Sequence, residues 1–388
     1  MTHYKTVLTA GFAMFSMFFG SGNLVFPLLV GQESLHQYPM AILGFVLTAV
    51  LVPFLGLIGM ILFDGNYRSY FDKLGRIPAL LLIAIILMLI GPFGVVPRCI
   101  TVAFGGFNLL MPSLSFELFS LFFCGIIIAC IWTKSRIVDI IGLFLTPFKL
   151  GGIIILILFG LWFGQDAVQG GLSSPEAFTN ALFKGYQTMD LMAAFFFSSA
   201  IVYYLRNHLT AQDDNKTLVK MSVAASIMGA LLLTIVYIGF IGLGAKYAPY
   251  LHDAQPEHLL VAIGGQALGF FAKPVIAVIL AVGCLATAVI LSTLFVDFLQ
   301  QDLTNGRLKR PQAIFITMAI TFVVSLLGFS KLMVVLGTIL DVAYPALIAL
   351  AIMNIVTKLT LQHQTRCHYT QWAFWGVLAI SIGFKVLG

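Results

Sequence analysis

Apolar residues fill this chain in long blocks, with polar residues gathered in short stretches between them. The blocks run near 6–30, 39–63, 79–106, 115–133, 137–163, 186–205, 217–244, 269–299, 312–329, 331–358 and 370–387. Each comes close to or exceeds the roughly 20 apolar residues that a helix needs to cross about 30 Å of hydrocarbon. The pattern therefore predicts an all-α chain with eleven membrane-spanning helices.

The first block is interrupted. Phe18-Phe19-Gly20-Ser21-Gly22-Asn23-Leu24-Val25-Phe26-Pro27 sets two glycines and an asparagine at mid-bilayer depth inside the apolar run from Val7 to Leu29. Lipid offers no hydrogen-bond partners, so unwound backbone survives there only where protein, water or a bound solute satisfies it. The segment predicts a discontinuous first helix with a binding site at its break.

Composition supports the membrane assignment. Hydrophobic residues make up 60% of 388, charged residues only 9%, and the mean hydropathy is +1.03. Such values place the whole of 1–388 in one polytopic membrane domain, with the lipid bilayer as its surroundings. The first block is too long and too interrupted for a cleaved signal peptide. With a cytoplasmic N-terminus, fourteen of the 21 Lys and Arg fall in inside loops and five outside, leaving Arg98 and Lys149 within blocks. That bias sets the N-terminus inside and the C-terminus outside. The net charge of +6 is dispersed over short loops and forms no stripe suited to nucleic acid. Nothing in the pattern calls for an obligatory protein partner or an organic cofactor.

Enzyme chemistry finds little support. Cys99, Cys124, Cys130 and Cys284 lie inside blocks and Cys367 in a loop, with neither disulfide nor metal-ligand spacing. There is no HExxH and no GxxxxGK[ST], so any transport by this chain must draw on gradients. A channel would need a polar stripe or a charge ring along a pore, whereas the polar residues here are isolated.

The order of blocks contains an inverted repeat by parity, 6–163 against 186–358, with 370–387 as an additional helix. Phe18-Phe19-Gly20-Ser21 matches Phe196-Phe197-Ser198-Ser199 at an offset of about 178, which reads either as a second discontinuity in the sixth block or as small residues that allow close helix packing there. Intramembrane charge costs a few kcal/mol per residue, so Arg98, Lys149, Asp190, Asp297 and Asp341 each need an account. Lys149 and Asp297 are read as snorkelling or interfacial side chains. Asp190 is a helix cap or a gate, and Asp341 is a candidate proton carrier. Arg98, after Pro92 and Pro97, either pairs with an acid such as Asp341 or bonds broken backbone.

Five motifs carry a family resemblance: Phe19 to Pro27 (FGSGNLVFP), Ile90 to Arg98 (IGPFGVVPR), Gly185 to Asp190 (GYQTMD), Leu285 to Ala288 (LATA) and Tyr344-Pro345. Together they resemble the branched-chain amino acid:cation symporters over nearly the whole chain. The resemblance implies a LeuT-type fold of five plus five inverted helices with discontinuous helices 1 and 6. It further implies inward transport of leucine, isoleucine or valine with sodium or a proton.

Physical chemistry fits such a substrate. The amides of Gly20, Ser21, Gly22 and Asn23 open the outer half-helix, where the positive end of the dipole would hold a carboxylate. Carbonyls around Phe19 and Phe195 to Phe197, with the hydroxyls of Ser198 and Ser199, would take the ammonium. An aliphatic side chain would lie against Phe19, Phe195, Phe196 and Phe197. By carry-over from the family, the cation would sit among Ser16, Phe19, Gly283, Ala286 and Thr287. Here the chain departs from the family pattern, because Ala286 stands where relatives place a first threonine, and one hydroxyl ligand is missing. An aromatic amino acid or a nucleobase carried on the same fold is the alternative substrate.

Overall fold

The structure is a computed structural model describing residues 2–108, 110–132, 146–209, 214–251, 254–269, 272–360 and 367–387. The opening of the fifth block, 137–145, lies outside the described residues, as do residue 133 of the fourth and residues 270–271 of the eighth. Among the described residues every regular element is helical. Among the described residues five stretches are long and apolar enough to cross a membrane, Ser21–Leu62, Arg76–Asn108, Asn215–Tyr250, Lys273–Leu303 and Phe329–Thr360, and the bent pair Ser174–Tyr186 and Asp190–Arg206 makes a sixth if taken as one span.

The first block is two helices, α1 (Thr2–Phe18) and α2 (Ser21–Ser34), parted at Phe19-Gly20. The second is α3 (Tyr38–Val46) and α4 (Val52–Leu62), joined through a π turn at Leu47–Leu51. Pro53 explains that turn, since it has no N–H to donate to the carbonyl four residues back. A short α5 (Tyr67–Phe71) leads to the third block, α6 (Arg76–Ile90) and α7 (Val95–Asn108), with the IGPFG motif at their junction. Then come α8 (Phe116–Trp132) and α9 (Thr146–Phe163).

The second half opens on α10 (Ser174–Tyr186) and α11 (Asp190–Arg206), bent 43° at the residues between them. It continues with α12 (Asn215–Tyr247), α13 (Leu259–Leu268), α14 (Ala272–Phe298), α15 (Arg310–Ser325), α16 (Phe329–Thr360) and α17 (Cys367–Leu387). Two of these, α10 and α13, lie outside the eleven predicted blocks: one precedes the sixth block and the other the eighth. Cys367, expected in a loop, is the first residue of α17.

The helices pack as two groups. Helices α1, α2, α4, α11 and α12 contact one another extensively, and α7, α8, α14 and α15 form the other set. Between α2 and α12 the backbones nearly touch. A Cβ on Gly31 would fall 2.0 Å from the Ile241 carbonyl oxygen, and one on Gly244 would fall 2.1 Å from that of Leu28. Helices in lipid gain little from the hydrophobic effect, and small residues let them collect dispersion contacts at short range. Helix α9 touches both groups, packing on α1 and α12 on one side and on α14 on the other.

Candidate functional site

The break in the first block is built by Gly20 and Asn23. Gly20 is extended (φ −113°, ψ −155°), which stops α1, and its amide donates to Asn23 Oδ1 at 3.2 Å. The Leu24 amide donates back to the Gly20 carbonyl at 3.1 Å and starts α2. The amides of Ser21, Gly22 and Asn23 thus open a helix with no acceptor inside it. All four residues from Gly20 to Asn23 are buried.

A second break faces the first. It lies at Gln187–Met189, within GYQTMD, and Met189 adopts the left-handed conformation (φ 62°) that ends α10 and redirects the chain into α11. A methionine held there is strained by about 1 kcal/mol or more, a cost met by surrounding packing at sites of function. The two breaks touch: a Cβ on Gly22 would stand 3.0 Å from Thr188 Cα and 3.3 Å from the Gln187 carbonyl oxygen.

Polar side chains join them. Asn23 Nδ2 donates to Asp190 Oδ2 at 2.6 Å and to the Tyr237 hydroxyl, which itself donates to Asp190 Oδ2 at 3.0 Å. Asp190 is only 2% exposed. Arg98, from α7, is fully buried and donates from Nη2 to the Gln187 carbonyl at 3.1 Å, with its guanidinium 5.5 Å from the centre of the Phe26 ring. Its Nε and Nη1 have no protein partner among the described residues. Of the two roles expected for Arg98, the contact made is the one to broken backbone. Asp341 instead accepts from Lys385 of α17 at 2.9 Å, with both side chains partly exposed.

The residues expected around a cation converge on the inner side of the first break. Thr287 Oγ1 donates to the Met17 carbonyl at 3.2 Å, and the Thr287 side chain abuts Gly20. Gly283 lies beside Phe19, and Ala286 is buried without a side-chain oxygen to offer. The charge at this position is a lysine. Lys149 is not snorkelling: it is fully buried, and its Nζ donates to Ser16 Oγ at 3.0 Å and to the carbonyls of Ser16 and Phe19 at 3.4 and 3.3 Å. The rings of Phe15 and Phe19 lie 5.5 and 5.1 Å from the same ammonium. Gly283 makes room for its stem, since a Cβ there would stand 3.2 Å from Lys149 Cδ. The Ser16 and Phe19 carbonyls assigned to the cation are therefore engaged by a tethered ammonium, and a donor set that already holds this charge does not fit an added sodium ion. Asp297, by contrast, is partly exposed and paired with Arg310 at 2.5 Å.

The expected second discontinuity at Phe195 to Ser199 is corrected. These residues lie inside continuous α11, whose carbonyls serve the helical ladder, and the Ser198 hydroxyl donates to the Ala194 carbonyl at 2.5 Å. Phe195 packs on Tyr70 and Phe71, Phe196 on Tyr67 and Phe71, and the Ser199 hydroxyl donates to the Gly65 carbonyl. Phe197 returns to the first break, edge-on to Phe18 at 5.2 Å. Phe19 faces Phe240 of α12 at 6.1 Å. Sequence reasoning missed Gln187 to Met189, Tyr237 and the position of Lys149. A signal existed for two of them: GYQTMD is rich in helix-breaking and polar residues, and Lys149 stands at the centre of the 137–163 block.

Comparison with known proteins bears on this arrangement. The family described as branched-chain amino acid transport protein matches residues 3–388. A branched-chain amino acid permease, BrnQ of Salmonella typhimurium, is 28% identical over 363 residues, covering 91% of this chain and 82% of its own. The branched-chain amino acid transport system 3 carrier protein of Pseudomonas aeruginosa is 29% identical over 392 residues, covering 99% of this chain and 86% of its own. Among solved structures, MhsT in complex with L-phenylalanine superposes with a TM-score of 0.63 over 97% of both chains at 17% identity, a likeness of fold alone. The architecture is thus of LeuT type, with discontinuous helices 1 and 6. Spanning nearly its whole length, the match makes this chain a multi-pass membrane transporter that belongs to the branched-chain amino acid transport protein family.

Proposed function

We propose that this chain imports leucine, isoleucine and valine across a bacterial inner membrane by alternating access, in symport with a cation. The observation that carries this reading is the meeting of two buried helix breaks, with Gly22 seated on Thr188 and Asn23 bonded to Asp190. Unpaired amides at the start of α2 suit a carboxylate, and the Asp190 carboxylate supplies the opposite polarity for an ammonium. A zwitterion laid between them has both ends matched. Phe19, Phe240 and the Phe18–Phe197 pair are aromatic surfaces beside the break and suit an aliphatic side chain. Curated relatives named for branched-chain amino acids support the same substrate class.

Transport would proceed as the group containing the two broken helices moves against α7, α8, α14 and α15. The N-terminus would face the cytoplasm and the C-terminus the outside. Purified protein in liposomes should accumulate labelled leucine under an imposed sodium or pH gradient, with excess isoleucine and valine competing. Failure of any branched-chain amino acid to enter under either gradient would remove the substrate assignment, and competition by phenylalanine alone would favour the aromatic alternative.

A further inference from the structure

We infer that the Lys149 ammonium is the resident cation of the first helix break, so that substrate binding by this transporter does not require sodium at that position. The inference builds on the function proposed above and concerns which cation the break uses. Three oxygens, Ser16 Oγ and the carbonyls of Ser16 and Phe19, converge on Nζ between 3.0 and 3.4 Å. Two of them are carbonyls ending α1, whose dipole concentrates negative potential there. A positive charge is what such an unwound end requires, and Lys149 provides it from within the chain.

A second cation cannot share the place. Two unit charges about 4 Å apart repel enough, even at an effective dielectric near 20, to weaken an ion's binding on the order of a thousandfold. The surroundings are shaped for the lysine. Gly283 leaves space beside Lys149 Cδ, the rings of Phe15 and Phe19 lie against the ammonium, and Ala286 adds no oxygen. Because α9 packs on both helix groups, the lysine also ties the first break to the helix between them, as a bound ion bridging the same elements would.

The test measures tritiated leucine binding and thermal melting of the purified full-length protein in sodium chloride and in choline chloride at equal ionic strength. Wild-type affinity should agree between the salts within about twofold, and sodium should leave its melting temperature unmoved. Lys149→Ala should bind leucine about tenfold or more weakly in choline chloride, since it strands the oxygens that held a charged donor. Sodium should restore part of that affinity and raise the variant's melting temperature, as the ion fills the vacated oxygens. Sodium tightening wild-type binding by about tenfold would overturn the inference. So would a folded Lys149→Ala that binds leucine in choline chloride as tightly as wild type. Should Lys149→Ala fail to fold, the wild-type comparison stands and Lys149→Gln replaces it, with weaker leucine binding in choline chloride expected and unchanged binding overturning the inference. Absence of leucine binding in both salts would count against the proposed substrate, while the melting comparison still tests the lysine.

Discussion

Asn23 is the residue on which the two helix breaks depend. It caps the Gly20 amide, donates to Asp190 and meets the Tyr237 hydroxyl, so one short side chain satisfies groups from α1–α2, α11 and α12. Asn23→Leu keeps the branched shape and removes every one of these bonds. Each buried group left unpaired costs about 1–3 kcal/mol, more when charged, so the variant should lose leucine binding and melt several degrees earlier. Retained binding in a folded Asn23→Leu would show that Asp190 is not oriented through this contact. Thr287→Ala is a milder change, freeing the Met17 carbonyl of one bond worth about 1 kcal/mol. It should leave binding within about tenfold of wild type, a direct check by titration. Asn23 and Thr287 were both legible as polar residues beside a break. Lys149 was read as snorkelling or interfacial although it stands at the centre of its block, because a four-carbon stem can reach out toward water or inward to carbonyls and only the packing decides which.

At the scale of elements, glycines set how closely the helices approach. Gly31 and Gly244 let α2 and α12 cross with backbones in contact, and Gly22 lets α2 rest on the second break. Gly31→Ala would drive a methyl to 2.0 Å from the Ile241 carbonyl oxygen, so the helices must separate. Overpacking of this kind costs about 1–3 kcal/mol and should appear as a lower melting temperature with less leucine bound. Gly22→Leu should abolish uptake while sparing much of the stability, because it forces apart the two breaks and not two whole helices. Normal uptake by Gly22→Leu would argue against a site between them. The first break was legible, since Gly-Ser-Gly-Asn combines weak helix formers with a capping side chain in the middle of an apolar run. The second was misplaced by some ten residues, because matching Phe-Phe-Gly-Ser to Phe-Phe-Ser-Ser rewarded similar letters, whereas the chain turns at Met189, whose left-handed backbone no side-chain pattern announces.

For the whole molecule, alternating access requires the two helix groups to move relative to one another. Ser21 of α2 and Cys99 of α7 stand across that boundary, with Ser21 Oγ 3.6 Å from Cys99 Sγ. Ser21→Cys therefore sets two thiols near disulfide range. Oxidation by a membrane-permeant reagent, verified by mass, should stop uptake, and a reductant should restore it. Full uptake with the disulfide formed would exclude motion between these groups. At the other end of the fold, the Lys385–Asp341 pair fastens α17 to α16 through two partly exposed side chains. Lys385→Ala should change stability by no more than about 1 kcal/mol, as ion pairs at exposed positions contribute little.

Sequence alone determined that this protein lives in a bilayer, where its helical blocks run and that the first of them is broken. Hydropathy and backbone hydrogen bonding in lipid act along the chain and leave few other solutions. The family motifs extended this to fold and substrate class. Tertiary structure decided which polar groups meet. Asp190 finds Asn23 and Tyr237, Arg98 finds the Gln187 carbonyl, and Lys149 finds the end of α1, over sequence separations of 47 to 167 residues for Asp190, 89 for Arg98 and 130 to 133 for Lys149. A buried charge is settled by whichever oxygens or donors the packed helices bring within about 3 Å of it, and that distance exists only once the helices have assembled.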